Sequence, residues 1–92
     1  MAPDNRAENG AAPAADHREF VAGLERAEKL VLTIREELYE GSWENMVEDL
    51  EARLAGKPYI FKLSQRIEND LATVRKLRDY EKRLGVDLGD YL

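Results

Sequence analysis

Residues 58–84 read PYIFKLSQRIENDLATVRKLRDYEKRL, and their spacing decides the fold class. Ile60, Leu63, Ile67, Leu71, Val74, Leu77 and Leu84 recur at helical spacing, with charged side chains between them. A helix gathers such residues on one apolar stripe and leaves the charges in water. At about 1.5 Å per residue it would be roughly 40 Å long, and alone it would not stay folded. Pro58 suits a first helical position. Gly85 suits a left-handed cap, with Val86 covering the last turn near Tyr80. A strict heptad from Ile60 places Asp70 and Glu81 on the seam. Leu71 is expected to take the contact while Asp70 leans outward; the alternative is a polar register device.

Working toward the N-terminus, Gly56 closes a shorter helix over 43–55, whose stripe is Trp43, Met46, Val47, Leu50 and Leu54. Lys57 precedes a proline and should be extended, and so short a connection makes the two helices antiparallel neighbours. Gly41-Ser42 can end one helix and cap the next. The stripe of 43–55 is out of phase with the one before it, which favours a bend at Gly41 over one long helix. Upstream, Asp16 with Glu19 forms a capping box that opens a helix over 16–40. Its seam is Phe20, Leu24, Ala27, Val31, Ile34 and Leu38, and Val21, Leu32 and Tyr39 make a thinner second strip. Glu28 and Arg35 separate the two strips, and His17 is expected to be solvent-exposed.

The fold class is therefore all-α. Three helices, long–short–long at about 16–40, 43–55 and 58–84, form an antiparallel bundle or a helical hairpin with coiled-coil-like packing. Residues 1–15, with prolines, glycine, asparagines and alanines and no period, are expected to be a disordered leader before a helical domain over 16–92. The tail 86–92 is half apolar and is expected to pack Leu88 or Tyr91 over the end of the bundle. A C-terminal recognition peptide is the sharper alternative.

Composition narrows the function. Nineteen acids against fourteen bases give a net charge of −5, which argues against nucleic acid and anionic membranes as partners. The longest uncharged apolar run, Leu30 to Ile34, is too short to span a bilayer, and no signal peptide is visible, so a cytoplasmic location is expected. Without cysteine there is no disulfide or thiolate metal site, and a chain this small commonly gains support by oligomerising.

Charge is uneven. Glu36, Glu37, Glu40, Glu44, Glu48, Asp49 and Glu51 make an acidic elbow with no intervening base, while Arg75 to Arg83 is basic. Glu25/Glu28, Glu37/Glu40 and Glu48/Glu51 are carboxylate pairs that share a helix face and can hold a hard cation. The string Glu36-Glu37-Leu38-Tyr39-Glu40 resembles the first metal motif of all-α nucleotide pyrophosphohydrolases. That family's second motif, Glu-x-x-Asp on the next long helix, is absent here. The long–short–long layout also resembles small helical chorismate mutases. Their chemistry needs cationic and amide side chains facing a pocket, whereas Arg26, Arg35, Arg66 and Arg75 are placed on solvated rims. No nucleophile with a base, phosphate loop or cofactor motif is present, so neither an enzyme nor a cofactor is expected.

The leading expectation is a helical protein–protein interaction or assembly module that self-associates, as a homodimer or higher oligomer, with Phe20, Leu24, Val31, Leu71 and Val74 at the contacts. The alternative is an acidic regulator or inhibitor that occupies a basic surface as a nucleic-acid mimic would; a carboxylate-metal enzyme comes third. Trp43 is expected to be buried. If exposed, it would anchor a partner surface made of Glu37, Glu40, Trp43, Glu44 and Glu48.

Overall fold

Gly23 interrupts the first predicted helix. A computed structural model describes residues 14–56 and 61–92, and these form α1 (Ala14–Ala22), α2 (Arg26–Leu38), α3 (Trp43–Ala55), α4 (Phe61–Leu84) and a final 3-10 turn over Leu88–Tyr91. The described residues contain no strand, so the all-α class holds. The single helix expected over 16–40 is instead two. Gly is a poor helix former, and just beyond it Glu25 starts a new helix, its backbone N–H donating to Glu28 Oε1 at 3.0 Å. The Glu25/Glu28 pair is thus a capping device. Asp16 does not open α1 but sits inside its first turn.

The bend at Gly41 is present. Tyr39 ends α2, Glu40 and Gly41 both take positive φ (51° and 79°), and Ser42 caps α3 by accepting from the Asn45 N–H at 3.1 Å. A Cβ-free residue at 41 makes this left-handed step inexpensive. α3 closes at Gly56 and α4 closes at Gly85, as the sequence predicts. Ala14 and Ala15, expected to belong to the leader 1–15, are part of α1; the rest of that leader and the start at Lys57-Pro58 lie outside the described residues.

The chain runs back along α4. Trp43, first in α3, bonds to Glu81 late in α4, while Val47 and Glu51 share a cleft with Leu71, Val74 and Arg75. α2 advances with α4: its Glu28 meets Lys76 at 2.7 Å and its Arg35 meets Glu81 at 2.9 Å. The break at Gly23 lets α1 pack beside the 3-10 turn. The core is Val21, Leu24, Val31, Leu32, Trp43, Met46, Leu50, Val74, Leu77 and Leu88. Leu88 is fully buried, so the tail is a working part of the core, as one of its two expected roles requires.

Candidate functional site

The most highly charged part of the interior is built on Arg35, whose side chain is 2% exposed. Its Nε donates to Glu36 at 2.7 Å, its Nη1 to both oxygens of Glu81 at 3.0 and 2.9 Å, and its Nη2 to Asp87 at 2.5 Å. The guanidinium lies over the Trp43 ring at 4.3 Å. Glu81 also accepts from the Trp43 indole N–H at 2.6 Å and the Leu88 N–H at 2.7 Å, and Asp87 accepts from the Gly89 N–H at 2.9 Å. Burial disfavours the charge on Arg35, but Glu81 and the other carboxylates outweigh it and hold its pKa above the ordinary value. The hub ties α2, α3, α4 and the tail together. Its donors face inward at carboxylates, and among the described residues no buried side-chain polar atom lacks a partner.

Two expectations are corrected here. Arg35 does not lie on a solvated rim. Glu81 occupies a seam position of α4, and a seam carboxylate needs a buried cation, which α2 supplies. His17 is not exposed. It is 2% exposed, its Nδ1 lies 3.0 Å from the Tyr80 hydroxyl, and its ring packs 5.4 Å from that of Tyr91. Phe20 stacks on Tyr80 at 3.8 Å, so α1 docks through aromatic contacts. Burial, reinforced by Asp16, raises the pKa of Tyr80.

The open feature is a groove of about 620 Å³ between α2 and the first half of α4. Its two walls differ in chemistry. Ala27, Leu30, Val31 and Ile34 make an apolar wall with Arg26 at its end; Lys62, Gln65, Arg66, Asn69 and Asp70 make the facing wall. Leu30 is 44% exposed, and Leu38, which continues the α2 stripe, is 71% exposed. Burial raises the pKa of Asp70, against the opposing pull of Arg66. The seam of α2 was legible as apolar but not as open. The polar spacing 62, 65, 66, 69, 70 was the signal that this face of α4 is not core.

The acidic elbow divides. Glu36 is held by Arg35, and Asp49 by Arg53 at 3.2 Å and by the Tyr39 hydroxyl, which lowers the pKa of Asp49 and raises that of Tyr39. Glu37, Glu40, Glu44 and Glu48 are exposed, whereas Trp43 is 7% exposed, as expected, and turned into the hub. Among the described residues no group of three or more His, Asp or Glu side chains is placed to hold a metal ion.

The residues expected at an oligomer contact are mostly used within the chain. Leu24, Val31 and Val74 are buried, and Phe20 and Leu71 are half-buried against the core. The fold-back of α1 covers the end of the bundle that an unbroken helix would have left bare. What remains open on α2 is Ala27, Leu30 and Leu38, with Leu63 on α4 49% exposed and Leu92 53% exposed. No family model, curated protein or solved structure matches the chain.

Proposed function

We propose that the protein is a small helical protein–protein interaction module that self-associates through the exposed face of α2 and the adjoining wall of α4. The observation that carries this reading is the two-chemistry groove, with Leu30 44% and Leu38 71% exposed on one helix face. Single exposed leucines are ordinary on soluble proteins, but a stripe at helical spacing beside a concave wall is the form that helix-in-groove recognition takes. The packing across the contact is coiled-coil-like, and the module serves assembly rather than chemistry. Light scattering after gel filtration tests it. The expected mass at tens of micromolar is at least twice 10.5 kDa. Leu30→Glu with Leu38→Glu should return the monomer with helicity intact, because both side chains are outside the core. A wild-type monomer at that concentration overturns the reading.

A second reading rests on the exposed carboxylates Glu37, Glu40, Glu44 and Glu48, which let the elbow occupy a basic surface of another protein. Salt separates the two. An apolar self-contact persists in 0.5 M NaCl, where the Debye length falls to roughly 4–5 Å, whereas elbow-driven binding collapses.

A further inference from the structure

Arg26 and Glu37 stand at opposite ends of α2, and each carries the charge that its end of the helix disfavours. A helix N-terminus favours acids and a C-terminus favours bases. α2 runs from Arg26 to Leu38, so the base is at its first position and the acid in its last turn. Both are exposed, and neither has an ion-pair partner among the described residues. The two are eleven residues apart, close to three full turns, so they lie on one edge of the stripe about 16 Å apart along the axis.

The stripe between them reads nearly the same from either end. Leu30 and Ile34 are placed symmetrically about residue 32, and Ala27 with Leu38 and Arg26 with Glu37 are centred within about half a residue of it. A second α2 turned end for end sets leucine and isoleucine on their counterparts, and sets each base on the other copy's acid. A second α2 in the same direction carries this edge to opposite sides of the two-fold contact, so that neither Arg26 meets a Glu37. The facing wall has the same polarity, since Lys62 and Arg66 precede Asp70.

Resting on the self-association proposed above, we infer that the occupant of the groove is α2 of a second copy. The two helices lie antiparallel about a two-fold axis near residue 32, with Arg26 of each copy beside the partner's Glu37. A two-fold contact makes every pair occur twice, so one change of charge acts at two places.

Charge exchange tests this. Arg26→Glu and Glu37→Arg each suit the helix dipole, so both variants should fold, and circular dichroism checks this. Each alone replaces two attractive contacts with two repulsive ones and should weaken dimerisation about tenfold at low salt in sedimentation equilibrium. Mixed in equal amounts, the two variants should form a heterodimer as tight as wild type, because both contacts are again Glu against Arg. The double variant should also recover. A wild-type dimer that neither variant weakens, or a mixture that fails to recover, overturns this register and leaves the self-association reading standing. A wild-type monomer overturns both.

Discussion

Arg35 and Glu81 meet through a two-pronged ion pair, Nη1 to both carboxylate oxygens at 3.0 and 2.9 Å, with the arginine 2% and the glutamate 13% exposed. Opposite charges so far from water stabilise a fold only while both are present. Removing one leaves the other dehydrated and unpaired.

Arg35→Met should therefore lower stability by about 3–5 kcal/mol. The loss exceeds that of an ordinary apolar truncation because Glu36, Glu81 and Asp87 remain together without their cation. Adding Glu81→Gln should restore part of it. Urea unfolding followed by Trp43 fluorescence measures both, and a cost for Arg35→Met below about 1 kcal/mol would contradict the assigned role.

Gly89 is bound to the same hub. A Cβ at this position would run into the Glu36 carboxylate, which Arg35 holds in place. Gly89→Ala should cost about 1–3 kcal/mol, as overpacking does. In a Glu36→Ala background the same change should be nearly neutral. Equal costs in both backgrounds would rule out the contact as the cause.

Tyr80→Phe removes the hydroxyl that faces the buried His17 nitrogen. The expected loss is about 1–3 kcal/mol, concentrated in the docking of α1. Limited proteolysis should show faster cutting near Gly23 than in wild type, with α3 and α4 still protected. Unchanged cutting would show that α1 is held by its apolar contacts alone.

Acid should loosen the link between α2 and α4. The Lys76 ammonium, with help from the Glu25 N–H, holds the Glu28 carboxyl below its usual value of 4.5. A carboxyl depressed in the folded state binds its proton more readily when unfolded. Its contribution is therefore complete above pH 4.5 and is lost as the pH falls through the folded value. Asp70, raised by burial, acts with the opposite sign: its ionisation opposes folding at neutral pH, and protonation relieves this. Lys76→Met should flatten the loss of stability below pH 4.5, and Asp70→Asn should raise stability at pH 7. Thermal melts from pH 3 to 7 follow both, and a slope unchanged by Lys76→Met would exclude the Glu28 pair as a source.

Much of the framework follows from local rules. The period of 61–84, the turn at Gly41, the cap at Gly85 and the burial of Trp43 and Leu88 each depend on residues close in sequence or on one stripe. The misplacements have the opposite origin. Arg35 and His17 are polar, and a pattern of apolar spacing assigns polar residues to water. Their burial depends on Glu81 and Tyr80, which are 46 and 63 residues away. Gly23 stands inside a long periodic run, and only the aromatic bed made by Tyr80 and Tyr91 gives a break there something to dock on. The groove was hidden for a related reason. The stripe of α2 satisfies the criterion for a core face, and only the geometry of α4 shows which part of it is uncovered.

The separations within the hub also set an order of events during synthesis. Arg35 has one early carboxylate, its neighbour Glu36, and must wait for Glu81 and Asp87, 46 and 52 residues later. At about 5–20 residues per second, that interval is roughly 2–10 s. Throughout it the cation meant for the interior is hydrated, and the seams of α2 and α3 have no α4 to cover them. The nascent chain thus passes through a period as an adhesive, half-made bundle, which the segment that carries Asp87 and Leu88 closes.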